Sequence, residues 1–185
     1  VSCKGCKREC PTGVDVARMK IEFLNQYHKK NGISLRTRMV AYLPRYAGLA
    51  ARFSWLFNLQ NISIFRGLRR RIFGLAPERT IPLWRRDIFK GVANHGPSKG
   101  SEVVLFADTF NRFFEPENLK AAVRVLQAAG YTVVTPTPTD GKRPLCCGRT
   151  FLSSGLVNEA KKEARRVLNT LMPYVKQGLP IVGLE

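Results

Sequence analysis

Apolar residues first fall into step at Val16, Met19, Phe23, Leu24 and Tyr27, the spacing of one helix face. Asp15 stands where an N-cap would, and Asn31-Gly32 where such a helix would stop. The stripe is expected to be core, packing the helix against the short segment before it. Between residues 34 and 92 the pattern loosens. Arginines, among them Arg36, Arg45, Arg52, Arg66 and the run Arg69-Arg70-Arg71, alternate there with apolar and aromatic residues. Leu49, Phe53 and Leu56, then Leu68, Ile72 and Phe73, predict two amphipathic helices broken between Asn58 and Ser63. Gly74 to Pro82 reads as a turn and linker, and Asn94 to Ser101 as a second linker.

The texture changes at Glu102. Val103-Val104-Leu105-Phe106-Ala107 is the continuous apolar run of a buried parallel strand. Pro116 suits the first turn of a helix whose inner face is Leu119, Ala122, Val123 and Leu126, with Gly130 as its stop. Tyr131 to Thr135 is a second strand, and a loop rich in Pro and Thr runs from Pro136 to Pro144. Leu156, Ala160, Ala164, Val167, Leu168 and Leu171 mark a long helix, with Lys161, Lys162, Arg165 and Arg166 on its outer face. Ile181-Val182 begins a third strand. This alternation implies a parallel α/β sheet with right-handed crossovers. Sites in such sheets form beyond the carboxyl ends of the strands. Asp108-Thr109 and Cys146-Cys147-Gly148 both fall near that edge.

Composition narrows the reading. The chain has 185 residues, 44% of them hydrophobic, enough for a packed core in one or two domains. No apolar run approaches the ~18 residues of a membrane span. The net charge of +18 fits nucleic acid, an anionic membrane surface or an acidic protein partner. Basic amphipathic stretches can lie on membranes or grip partner helices, and a plainer reading has them cover a neighbouring part of a larger protein. Five cysteines, grouped as three and two, suit metal ligation in a reducing compartment. A cytoplasmic location is the expectation, with peripheral contact at the inner membrane face left open.

The first group is Cys3-Lys-Gly-Cys6-Lys-Arg-Glu-Cys10-Pro11. It reads as the tail of a C-x2-C-x2-C-x3-C-P run, the ferredoxin-type pattern for a 4Fe–4S cluster. Cys3 and Cys6 would serve one cluster, and Cys10, before the proline, a second. The run's first cysteine would stand ahead of Val1, so the chain is expected to be a fragment that cannot complete a cluster alone. A zinc loop and disulfides remain alternatives, but no second Cys or His pair lies near for zinc. The second group is Cys146-Cys147-Gly148. The N-terminus of the helix after it and the charges of Lys142, Arg143 and Arg149 are expected to favour thiolate there. Gly148 would let the backbone approach a bulky ligand.

Pro144-Leu145-Cys146-Cys147-Gly148-Arg149-Thr150-Phe151 resembles the CCG, or cysteine-rich, domain of heterodisulfide-reductase-like and glycolate-oxidase-like iron–sulfur proteins. Cys3 to Phe23 and Asp108-Thr109-Phe110-Asn111-Arg112 are most similar to the C-terminal iron–sulfur half of FAD-dependent D-lactate or D-2-hydroxyacid dehydrogenases. Asp108-Thr109 stands where fuller CCG motifs have a lone cysteine, so two of that site's potential ligands are present.

The resemblance implies a mixed α+β chain in three parts. Residues 1–33 end a ferredoxin-like 4Fe–4S domain, residues 34–100 form a basic helical connector, and residues 101–185 form an α/β parallel-sheet CCG domain. It implies an electron-transfer segment of an FAD-linked oxidoreductase, with 4Fe–4S clusters on Cys3, Cys6 and Cys10 and FAD on another part. Cys146 and Cys147 are the further cofactor-binding candidates, and no catalytic residue is assigned. The implied partners are a flavin domain or subunit and a quinone or cytochrome acceptor. Two alternatives stand beside it: a separate iron–sulfur subunit of a larger complex, and a basic zinc-containing nucleic-acid-binding module, which leaves Cys146-Cys147-Gly148 unexplained.

Overall fold

A computed structural model describes residues 5–62, 67, 70–72, 74–76, 78–92, 101–141 and 143–184. Cys3, Arg66, Leu68, Arg69, Phe73, Lys142 and the stretch 94–100 with His95 lie outside the described residues. The chain opens with α1 (Gly5–Glu9), which carries Cys6, and α2 (Val16–Asn31). Asp15 caps α2 by accepting from the Arg18 amide at 2.9 Å. Gly32 ends it at a positive φ of 77°, its amide donating to the His28 carbonyl. The Lys7–Asp15 ion pair, at 3.0 Å, ties α1 to that cap.

The stripe of α2 is a correction. Val16, Met19, Phe23 and Tyr27 are exposed, Phe23 at 66%, and no residue of α2 is buried. The helix meets the rest of the described chain along its other edge instead. There Gly155, at a φ of +75°, lies so close that a Cβ on it would fall 2.5 Å from the Leu24 Cβ.

Among the described residues the connector includes the short helices α3 (Leu35–Ala41), α4 (Leu43–Arg52) and α5 (Ser54–Asn58) and a 3₁₀ turn at Leu59–Asn61, with further helical residues at 67 and 70–72. The inner face of α4 is not built on Leu49, which is exposed, as are Phe53 and Leu56. It is built on Pro44, Ala47, Ala50 and Ala51. Small residues are needed because bulk comes from outside: Trp84 and Phe113 pack against the alanines. The break near Asn58 has a constructive role. Asn58 clamps the backbone of Trp84, donating to its carbonyl at 2.9 Å and accepting from its amide at 2.8 Å. Asn61 does the same to Ile81, at 3.0 and 3.1 Å. Residues 81–92 thereby become an extended strap.

The strap runs onto a three-stranded parallel sheet of order β2-β1-β3, formed by β1 (Glu102–Phe106), β2 (Thr132–Val134) and β3 (Ile181–Gly183). Helices α6 (Thr109–Phe113) and α7 (Pro116–Ala128) connect β1 to β2. Helices α8 (Arg149–Ser153) and α9 (Val157–Lys176) connect β2 to β3. Val103, Val104 and Leu105 are almost wholly buried, as their run requires. Phe89 of the strap completes their core with Ala107, Leu119 and Val133. The Phe89 amide donates to the Arg112 carbonyl at 3.1 Å. The sheet's core therefore draws on residues before the linker at Asn94.

On α9 the inner face also differs from the expected one. Ala160, Glu163 and Thr170 are buried, while Ala164 and Leu168 are exposed. Arg166, read as an outer residue, is half-buried and donates to Asp140, to Glu163 and to the Arg143 carbonyl. The helix is rotated from the expected setting, with Glu163 turned inward onto Arg143 and Arg166. Among the described residues, no helix is long and apolar enough to cross a membrane.

Candidate functional site

The Cys-Cys-Gly loop comes after β2 and enters α8, so the topology brings it to the carboxyl edge of the sheet beside the end of β1. Cys146 is buried and Cys147 exposed. The Cys146 thiol interacts with Cys147, with the Thr109 hydroxyl and with the Gly148 amide, whose nitrogen lies 3.4 Å from its Sγ. The sequence-predicted neighbours Thr109 and Cys146 are thus brought together.

Their chemistry differs from the expectation. The Cys146 thiol is pushed well above the ordinary thiol range, first by its contact with Cys147 and then by burial. Of the anticipated thiolate-favouring features, two can be followed among the described residues. The helix after the loop has only five residues, and Arg143 is ion-paired to Glu163. Gly148, at a φ of +80°, is required for a close approach, but not to a ligand. A Cβ there would meet the Ala160 carbonyl at 3.1 Å and the Glu163 Cβ at 3.2 Å. The loop is pressed onto α9.

Glu163 is what holds it there. Its side chain has no exposed surface, and it pairs with Arg143 from the loop and with Arg166 on its own helix at 3.1 Å. Arg45 of α4 reaches it at 3.6 Å and pairs with Glu159. The Glu159 carboxyl is held below its usual range by Lys162 and, after it, by Arg45. Arg45 also lies 4.9 Å over the rings of Tyr42 and Phe151. The Thr150 hydroxyl donates to the Ala41 carbonyl at 3.0 Å, closing the junction between connector and loop. Sequence reasoning missed Glu163 and Arg45. The available signal was spacing: Glu163 falls in step with Leu156, Ala160, Val167 and Thr170, an acidic residue on an inward face.

At the other end of the chain Cys10 has the opposite character. Its Sγ lies 3.2 Å from the Thr12 hydroxyl, within reach of the amides of Val14, Thr12 and Gly13. These contacts, the Thr12 hydroxyl foremost, pull the thiol below its ordinary range. A turn that points hydrogen-bond donors at one sulfur suits a thiolate ligand. Cys6 lies on α1 just before that turn. Among the described residues, no group of three or more His, Cys, Asp and Glu side chains could hold a metal ion.

Fold and site define a class: a mixed α+β chain whose helices begin at a cysteine turn and whose small parallel sheet presents a Cys-Cys-Gly loop. Comparison of the sequence with known proteins makes that more particular. The chain is 26% identical over 199 residues to the D-2-hydroxyglutarate dehydrogenase of Escherichia coli, a match covering 100% of this chain and 19% of the relative. The corresponding proteins of Pantoea ananatis and Pseudomonas putida are 22% and 24% identical, with the same coverage. The chain thus spans about a fifth of the length of the curated relatives it matches. No known family's sequence profile matches it, and no solved structure does.

Proposed function

We propose that the chain is the electron-transfer segment of an FAD-linked 2-hydroxyacid dehydrogenase, an oxidoreductase whose leading substrate is D-2-hydroxyglutarate rather than D-lactate or glycolate. The observation that carries the reading is the similarity to D-2-hydroxyglutarate dehydrogenases along the whole chain. The flavin would sit in a part of the enzyme outside these residues, and a quinone or cytochrome would take the electrons. Cys3, Cys6 and Cys10 would hold 4Fe–4S clusters, which supply one-electron transfer when bound. The donors around Cys10 support this role. They favour the thiolate that an iron ligand must be, and N–H groups directed at a ligating sulfur raise a cluster's potential. At the Cys146-Cys147 pair the Cys146 thiol is pushed up, first by its contact with Cys147 and then by burial, so no preformed thiolate supports a ligand role there. The pair's rigid seat on α9 supports a structural or binding role for the loop. The basic surface would serve contact with an acidic partner or with anionic headgroups.

The test is iron content and absorbance near ~400 nm, the thiolate–iron charge-transfer region, in the complete enzyme that carries this segment. Cys3→Ser or Cys6→Ser should remove one cluster and Cys10→Ser should disturb the other. Unchanged iron in all three variants would sink the assignment.

A further inference from the structure

The half-buried arginines beside the Cys-Cys-Gly loop are matched to carboxylates, Arg143 and Arg166 to Glu163, and the latter also to Asp140. Arg112 is not. It lies on α6, just beyond the carboxyl end of β1, and among the described residues no carboxylate comes within ion-pair distance of it. Asp108 is nearby but engaged. It accepts from the amides of Phe110 and Asn111 at 2.8 and 3.1 Å, and from the Asn111 side chain at 2.5 Å. One Arg112 Nη donates to the Phe89 carbonyl at 2.8 Å, while the buried Nε–H has no acceptor. A desolvated cation with neither counter-ion nor full hydrogen bonding is unfavourable unless something else completes it. Burial accordingly depresses the Arg112 pKa, with Asp108 opposing.

Arg112 borders a cavity of about 220 Å³. Ala107 and Thr135 wall it at the strand ends, Leu145 at the Cys-Cys-Gly loop, and Lys90 on the strap. We propose that this cavity binds a small carboxylate, held by Arg112 and Lys90. A guanidinium presents a planar fork that matches a carboxylate's two oxygens. Thr135 Oγ1 accepts from the Val92 amide at 3.1 Å and keeps its own hydrogen to donate. The volume is below the about 300–1,000 Å³ of pockets for drug-sized molecules, which suits a short organic acid and not a flavin or dinucleotide. The place is the crevice outside the strand carboxyl ends, where α/β sheets take their ligands. The site rests on the cavity and its unmatched cation, independently of the redox reading.

Malonate is the probe, titrated into the isotopically labelled 185-residue chain at constant ionic strength while the amide spectrum is followed. Saturable shifts are expected at Gly91, Val92 and Thr135. The Kd should weaken at least tenfold in Arg112→Lys and several-fold in Lys90→Gln. It should be unchanged in Arg165→Gln, whose arginine is exposed on α9. Lys90 is exposed, so its variant stays folded even if the Arg112 variant does not. Shifts that fail to saturate, or that are equal in all variants, would show general attraction to a basic surface and overturn the site. Phosphate binding as tightly as malonate, with the same losses, would overturn the carboxylate assignment.

Discussion

Cys10 and Cys146 are the same side chain in opposite settings. Around Cys10 a hydroxyl and three amides are turned toward an accessible sulfur, and the thiolate gains. Around Cys146 the neighbour is a second thiol and the surroundings are buried, so the proton is retained. Since the thiolate is the nucleophile, alkylation of the metal-free chain at neutral pH should reach Cys10 well before Cys146. Peptide mass spectrometry after timed iodoacetamide labelling reads this directly, and equal rates would contradict the buried thiol. Glu163 shows the same dependence on surroundings. Glu163→Gln would leave Arg143 and Arg166 half-buried without their charge partner. Breaking a buried pair costs ~3–5 kcal/mol, and partial exposure of the arginines puts the expected loss near the lower end. The urea midpoint measures it.

At the scale of elements, periodicity located the helices and misjudged which face is buried. Asp15, Gly32, Pro116 and Gly130 mark boundaries because capping and φ restrictions act within a few residues. The direction a helix faces depends on what reaches it from elsewhere. On α4 that is Trp84, on α9 the Arg143–Glu163 pair, and on α2 the backbone at Gly155. The contrast on α2 can be tested with two substitutions. Gly155→Ala places a methyl group inside the contact with Leu24 at a positive φ, and overpacking of this kind costs about 1–3 kcal/mol. Phe23→Ser, on the stripe that reads as core, should change stability by no more than about 0.5 kcal/mol, as exposed substitutions do. Thermal or urea unfolding of the two variants separates the faces.

For the molecule as a whole, the strap is the decisive segment. Gly74 to Pro82 has the composition of a linker, yet Asn61 pins Ile81 within it and Asn58 pins Trp84 just beyond it. So held, the strap delivers Trp84 and Phe89 to two cores. The parallel strands and their helices alone therefore do not supply the full apolar core. Phe89→Ala in the whole chain is expected to cost about 3–5 kcal/mol, the range for a phenylalanine lost from a core. A fragment starting at Glu102 should accordingly unfold at lower urea than one starting at residue 78. Equal midpoints would place a true core boundary at the linker.

The local rules were legible because they are local. Apolar alternation and runs, caps, a proline at a first turn and the order of strands and helices require no knowledge of distant residues. They led to a parallel sheet with Thr109 and Cys146 at one edge, which the structure has. The spacing of Cys6 and Cys10 likewise belongs to the chain itself. What only the tertiary structure decided is where charge and bulk meet across long separations. Arg45 reaches Glu159 over 114 residues, Asn58 holds Trp84 over 26, and Val92 donates to Thr135 over 43. Such contacts fix the buried face of the helices, while the Cys146 thiol is pushed up first by its chain neighbour Cys147 and then by burial. They also leave Arg112 without a carboxylate beside a cavity, because burial and electrostatics are set by neighbours in space and not by neighbours in sequence.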